Sequence, residues 1–106
     1  MFTKAFSTPY YAVIFVSQKS ENLDGYAEYD ELTLKLAHEQ TGFLGYENAS
    51  GIFISYWESM EAIGIWSRHP VHIKAKENAH QWYTYYHSQI CKVEQARVFN
   101  SENMTT

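Results

Sequence analysis

The segment Tyr10–Ser17 (YYAVIFVS) is the feature that most constrains the fold of this chain. Its residues are β-branched or aromatic almost throughout, the pattern of a strand covered on both faces. Leu23–Gln40 follows with apolar residues every three to four positions, which predicts an amphipathic helix. Thr41-Gly42 ends that helix, because glycine adopts the left-handed conformation without steric cost. A strand followed by a covering helix is therefore the first predicted unit.

A hairpin is predicted next. Phe43–Asn48 and Ile52–Trp57 are rich in aromatic and β-branched residues, and the turn between them ends in Gly51. Ser59 follows at once, and its hydroxyl can accept a hydrogen bond from the free amides at the start of a second helix.

Pro70 divides the second helical region. It lacks an amide hydrogen and disfavours helical geometry at the preceding residue, so the helix should break at Arg68-His69 and restart with Pro70 in its first turn. The helical pattern from Val71 to His87 predicts one or two pieces interrupted near Asn78. Ile90–Phe99 is predicted as the last strand, and residues 100–106 as a disordered polar tail.

The predicted order of elements is β-α-β-β-α(α)-β, which is the split βαβ or ferredoxin-like arrangement of the α+β class with a four-stranded antiparallel sheet. With 106 residues, one domain over residues 1–99 accounts for the chain. Helices cover only one face of such a sheet. We therefore expect a symmetric homodimer with sheets face to face, an interface that would also use the aromatic content of 17%.

Charge and composition argue against several classes of partner. The formal net charge is −4 and no basic run is present, so we expect no nucleic-acid partner. No apolar stretch reaches the roughly 18 residues of a membrane span, and the first residues, MFTKAFS, lack the long apolar stretch of a signal peptide. Cys91 is the single cysteine and cannot form an internal disulfide. These features together predict a cytoplasmic protein without a membrane partner.

Sequence motifs for common cofactors and nucleophiles are missing. The chain contains no G-x-S-x-G, no G-x-G-x-x-G and no phosphate-binding loop, so we predict no cofactor. His69 and His72 are three residues apart, but a metal site needs at least one more ligand, and we predict none. The helical spacing of Trp66 and Trp82 is equally typical of core packing.

Three motifs occur together in the second half of the chain: WESMEAIGIW from Trp57 to Trp66, HPVH from His69 to His72, and WYTYY from Trp82 to Tyr86. With the preceding QTGFLG, this series closely resembles the antibiotic biosynthesis monooxygenase (ABM) domain family over about residues 10–99. The resemblance implies a dimeric α+β barrel with a pocket between sheet and helices in each protomer. It also implies oxygenation of an electron-rich phenol or quinol by molecular oxygen without metal, flavin or other prosthetic group.

Such chemistry requires a dry pocket with aromatic walls, a base with a pKa near neutrality and donors that stabilise an oxyanion. The resemblance places Trp66 in the wall of the pocket, and His69 and His72 are the candidate bases because imidazole titrates near neutral pH. The candidate substrate-binding residues are Ser55, Tyr56, Arg68, Trp82, Tyr83 and Tyr86. Strand register decides which of them face inward. The prediction is a cofactor-independent monooxygenase that acts on a small aromatic phenol or quinol.

Two alternatives remain open. The haem-degrading branch of the same fold uses an Asn in the first strand and a His ten residues after the tryptophan that matches Trp66. In this chain the residue ten positions after Trp66 is Lys76, and YYAVIFVS has no Asn. The other alternative is a non-catalytic dimeric module that binds a small hydrophobic molecule. The enzyme hypothesis requires a hollow, aromatic-walled chamber beside Trp66.

Overall fold

The computed structural model describes residues 6–101. In chain order its elements are β1 (Tyr10–Lys19), α1 (Tyr26–Glu39), β2 (Phe43–Ala49), β3 (Ile52–Trp57), α2 (Met60–Ser67), α3 (Pro70–Glu77), α4 (Ala79–Trp82) and β4 (Tyr83–Val93). The strands form one antiparallel sheet in the order β2-β3-β1-β4. The predicted α+β, ferredoxin-like fold with a four-stranded sheet is confirmed.

The first helix is shorter at its N-terminus than its periodicity predicts. Leu23 and Asp24 precede it in a turn, and Gly25 at the N-cap has φ 80°, a left-handed conformation outside the helix. At the other end Gln40 is extended, and Gly42 has φ 91°. A Cβ on Gly42 would lie 2.8 Å from Ala62 Cβ, so this glycine permits the close approach of the turn to α2.

The predicted helix starts in the second half are confirmed. Ser59 Oγ accepts a hydrogen bond from the Ala62 N–H (3.1 Å) at the start of α2. The chain then breaks at Arg68-His69, and α3 begins with Pro70 at its first position. Asn78 separates α3 from the single turn of α4.

The boundary of the last strand differs from the prediction. Residues 83–87, predicted as helical, belong to β4, where Tyr83, Tyr85 and Tyr86 pair with β1 residues 17–19 and His87 pairs with Val16. Aromatic residues and Thr84 favour extended structure, and β1 is long enough to pair with this segment. Strand pairing with β1 therefore determines its conformation, although the spacing of its apolar residues also fits a helix. Residues 94–100 form no strand and are exposed. The predicted strand end at Phe99 is thus wrong, and residues 102–106 of the predicted tail lie outside the described part of the chain.

The two faces of the sheet are different. Directly paired residues share a face, and residues along a strand alternate between faces. Tyr11 and Val13 of β1 pack against the helical layer and pair with Trp57 and Ser55, so these residues lie on the side we call the helix face. The opposite side, the open face, is apolar along its two central strands and carries Tyr10, Ala12, Ile14, Val16, Ile52, Ile54 and Tyr56.

The core lies between the helix face and the helices. Its buried members are Leu36 and Ala37 of α1, Trp57 of β3, and Ala62, Ile63 and Trp66 of α2. Within residues 6–101 no helix combines the length and hydrophobicity needed to cross a membrane.

Candidate active site

Trp57 occupies the centre of the core. Its side chain is fully buried, and its indole N–H donates to Ser55 Oγ at 2.9 Å. Ser55 is itself buried, two residues earlier on the same face of β3. Because residues two apart on a strand point to the same face, Ser55 and Trp57 of β3 lie side by side. Their hydrogen bond gives both the indole N–H and the hydroxyl oxygen a partner inside the core.

Trp66 packs on Trp57, and His72 packs on Trp66. Unlike the Trp57 ring, these two rings each carry a buried nitrogen without a hydrogen-bond partner among residues 6–101. The Trp66 ring is 5.0 Å from that of Trp57 and 4.3 Å from the imidazole of His72. Trp66 Nε1 and His72 Nδ1 are both buried, and neither has a hydrogen-bond partner among residues 6–101. An unsatisfied buried polar group costs about 1–3 kcal/mol, so these two atoms are suited to a polar group that enters from outside the chain.

Burial lowers the pKa of His72 to about 4, and the nearby charge of Lys76 lowers it further in the same direction. The imidazole is therefore neutral at physiological pH. A neutral ring has one nitrogen that accepts a proton, so His72 can receive a proton from a group bound beside it.

The Trp66 ring packs directly against two other rings. Two clefts of about 370 and 350 Å³ lie at the surface of the described residues, and Trp66 lines neither. The chamber expected beside Trp66 is occupied by Trp57 and His72. His72 is carried by α3, a helix that has no fully buried residue.

His69 and Arg68 lie at the break between α2 and α3. His69 Nδ1 accepts a hydrogen bond from the Val71 N–H (3.1 Å) and so caps α3. Arg68 is exposed, and its guanidinium lies over Gly64. The structure therefore gives His69 a capping role, and it brings His72 rather than His69 to Trp66.

Tyr56 lies on the open face, away from Trp66, because it follows Ser55 on a regular strand. Its hydroxyl donates to Glu47 Oε1 on β2. The Tyr56 ring packs against Tyr10 at 5.9 Å and against Phe6 at 5.9 Å.

Trp82, Tyr83 and Tyr86 form a second aromatic cluster at the other end of the helix face. Tyr83 and Tyr86 pack on Phe15 at 5.3 and 5.6 Å, and Trp82 packs on Tyr26 at 5.6 Å. Phe15 is four residues along β1 from Tyr11, roughly 13 Å at the rise of a strand. These three predicted residues thus share a cluster, but it is separate from the one around Trp66.

Polar groups of the second cluster have their own partners. Trp82 Nε1 donates to the Asp24 carbonyl at 2.8 Å. Burial raises the pKa of Tyr83 well above its ordinary value, with a hydrogen bond to Tyr26 acting in the same direction. Burial likewise raises the pKa of Asp30, partly offset by Lys19. Tyr83 is therefore a protonated donor at any physiological pH.

The structure also reveals a cleft that sequence reasoning did not predict. Its lining is Phe6, Ser7, Pro9, Tyr10, Leu44 and Glu58. Tyr10 lies in the first predicted strand and Glu58 in the WESMEAIGIW motif, but nothing in the sequence before the first strand indicates that Phe6 folds back onto the sheet. Separately, residues 6–101 contain no group of three His, Cys, Asp or Glu side chains arranged to hold a metal ion.

Comparison with known structures identifies the class of the fold. SnoaB, a cofactor-independent oxygenase from Streptomyces nogalater, matches with a TM-score of 0.65 and 9% identity over 84% of this chain and 97% of its own. A proposed antibiotic biosynthesis monooxygenase from Nitrosomonas europaea matches with a TM-score of 0.63 and 10% identity over 84% and 95%. A dimeric, ferredoxin-like protein of unknown function from Bacteroides fragilis matches with a TM-score of 0.60 and 10% identity over 79% and 96%.

The chain therefore has the ferredoxin-like fold of these proteins, as its order of elements predicted; at identities of 9–10% the likeness is one of fold. No family model matches the sequence. The uncharacterised protein YqjZ of Bacillus subtilis strain 168 is 47% identical over 97 residues, which cover 86% of this chain and 85% of YqjZ. The chain belongs to the same family as YqjZ.

Proposed function

We propose that the protein is a cofactor-independent monooxygenase that oxidises a small aromatic phenol or quinol with molecular oxygen. The observation that carries this proposal is the pair of buried nitrogens on Trp66 and His72 that have no hydrogen-bond partner among residues 6–101, on rings whose centroids are 4.3 Å apart. A phenol oxygen placed between them would accept a hydrogen bond from the indole N–H and give its proton to the imidazole. The fold shared with SnoaB supports the same class of reaction.

The substrate supplies the electrons in this reaction. Loss of the phenolic proton raises the donor strength of the ring until an electron passes to oxygen, and the radical pair combines to form a carbon–oxygen bond. The hydroperoxide then loses water to leave a quinone. A phenol with a hydrogen at the reacting carbon and one O₂ thus give one quinone and one water, with no external reductant.

The environment of His72 in the ligand-free protein keeps the ring neutral but makes it a weaker base than the near-neutral one that this chemistry requires, so the bound substrate must raise its pKa. It is neutral before substrate binds, since burial holds its pKa at about 4. A phenolate formed beside it would stabilise the imidazolium and raise that pKa, because opposite charges attract strongly where water is excluded. The indole N–H of Trp66 would stabilise the developing oxyanion.

Substrate would enter by displacement of α3. This helix carries His72, has no fully buried residue, and is bounded by the breaks at His69 and Asn78. Segments with few buried contacts open at low free-energy cost. Movement of α3 would expose Trp66 and create the chamber that the closed structure lacks.

Oxygen uptake tests the proposal directly. Metal-free protein is mixed with a panel of phenols and hydroquinones, and oxygen consumption is followed with quinone formation. We expect consumption above the autoxidation rate, with a large loss of turnover in Trp66→Phe and in His72→Ala. His80→Ala is the matched control, because His80 is exposed and touches none of these rings. No consumption above autoxidation with any substrate would contradict the proposal and favour a non-catalytic binding module.

The working unit would be a homodimer formed through the open faces of two sheets. Ile14, Ile54 and Val16 make the centre of that face apolar, and the Bacteroides fragilis neighbour of the same fold is dimeric. Sedimentation velocity should show a dimer that Ile14→Lys dissociates. Ile65→Lys is the control, since Ile65 is exposed on α2. A monomeric native protein would refute this assembly.

A further inference from the structure

Two aromatic rings, those of Phe6 and Tyr10, line the cleft at the end of the open face, and a third ring lies behind them. Phe6 packs edge-on against Tyr10 with ring centroids 5.3 Å apart, and both rings contact Tyr56 at 5.9 Å. Gly45 lies beside the Phe6 ring, and its φ of 147° is a conformation that suits glycine. Three rings are thus fixed in place before any ligand binds.

One carboxylate lines the cleft, and a second is bonded to the tyrosine behind its rings. Glu58 lines the cleft, and its backbone N–H is held by the Gly42 carbonyl at 2.8 Å, which fixes where the side chain starts. Glu47 accepts the hydrogen bond of the Tyr56 hydroxyl. A phenol that donates to a carboxylate becomes more electron-rich, which increases the attraction of its ring for a cation.

We propose that this cleft binds a small organic cation with an apolar body, an aryl- or alkylammonium ion. Its volume of about 370 Å³ accommodates a molecule of this size. The ammonium group would pair with the Glu58 carboxylate, and the apolar body would lie on Phe6, Tyr10 and Leu44. This site is on the opposite side of the sheet from Trp66, at the end of the face through which the homodimer is proposed to form, so binding requires the cleft to stay open in the dimer.

The 2-phenylethylammonium ion is a suitable probe, and 2-phenylethanol is its neutral analogue. Two-dimensional NMR of the whole protein should show saturable shifts of the Gly45 and Glu58 amides with the ammonium ion, and at least tenfold weaker binding of the alcohol. Glu58→Gln should weaken ammonium binding about tenfold. Glu61→Gln, which removes a nearby exposed carboxylate outside the cleft, should leave the affinity unchanged.

Phe6→Leu separates a specific site from general attraction to an acidic protein. It keeps an apolar side chain but removes the ring, so ammonium affinity should fall several-fold. Equal binding of the amine and the alcohol, equal effects of Glu58→Gln and Glu61→Gln, or no saturable shift would each overturn the proposal. Binding that appears only after dissociation to monomers would also overturn it, because a side chain of a second copy would then occupy the cleft.

Discussion

Trp57 and Trp66 allow one substitution to be compared at two sites that differ in a single hydrogen bond. Both rings are buried, at 0% and 8% exposure, and they contact each other. The Trp57 N–H is bonded to Ser55 Oγ, whereas the Trp66 N–H has no partner among residues 6–101. The change in the free energy of unfolding when each tryptophan is replaced with phenylalanine measures the contribution of that hydrogen bond.

The expected magnitudes follow from the two environments. Trp→Phe removes roughly 40 Å³ of side chain, which costs about 1 kcal/mol at about 24 cal/mol per Å³ of cavity. At Trp57 the change also leaves the buried Ser55 oxygen without its donor, for a total loss of about 2–4 kcal/mol. At Trp66 the change removes a donor that had no partner among residues 6–101, and the free energy gained by removing it offsets the cost of the cavity. We expect the free energy of unfolding of Trp66→Phe to fall by no more than about 1 kcal/mol.

Urea unfolding at one fixed protein concentration measures both values, since dimerisation would make stability depend on concentration. Ser55→Ala provides the control: its effect should shrink in the Trp57→Phe background and stay unchanged in the Trp66→Phe background. Equal losses in the two tryptophan variants would refute the reasoning. That result would mean that the Trp66 N–H is already hydrogen-bonded in the ligand-free protein and does not await a substrate oxygen.

Three further outcomes are expected. His72 has an ordinary pKa of 6.5 and a folded-state pKa of about 4, so acidification protonates the unfolded chain first. The free energy of unfolding should then fall by about 2 kcal/mol as pH drops from 6.5 to 4. When the free energy of unfolding is measured against pH for two variants, His72→Gln should abolish this decline and His80→Gln should retain it. Ser59→Ala removes the cap of α2 and should cost about 1 kcal/mol in thermal or urea unfolding, with Ser59→Asn retaining most of the stability. Gly42→Ala should cost at least about 2 kcal/mol, since the new methyl would lie 2.8 Å from Ala62 Cβ on a backbone with positive φ; a neutral result would show that the turn can move away from α2.

Local signals in the sequence were sufficient for most of the elements. The Ser59 cap and the Pro70 break depend on the backbone hydrogen bonding of one or two residues, so they appear where the sequence places them. The last strand was misplaced because Tyr83–His87 satisfies both helical spacing and extended propensity. Only the presence of β1 as a pairing partner selects the strand.

The candidate site was predictable in part. The motif resemblance selected Trp66, and His69 and His72 were both candidate bases; the structure places His72 against Trp66. Ser55 joins this group through Trp57, whereas the neighbouring Tyr56 lies on the other side of the sheet. The tyrosines of the WYTYY motif lie with Phe15 in a separate cluster, because β4 continues along β1 away from α2.

By itself, the sequence determined the ferredoxin-like order of strands and helices, the helix caps and the breaks, since periodicity, prolines, glycines and capping hydroxyls act over a few neighbouring residues. The tertiary structure alone decided which polar groups inside the core have partners. The Trp57 N–H meets an acceptor on its own strand, while Trp66 and His72 face each other from different helices with their nitrogens unsatisfied. The cleft bordered by Phe6 and Glu58 also exists only after folding, because its walls come from segments about 50 residues apart in the chain.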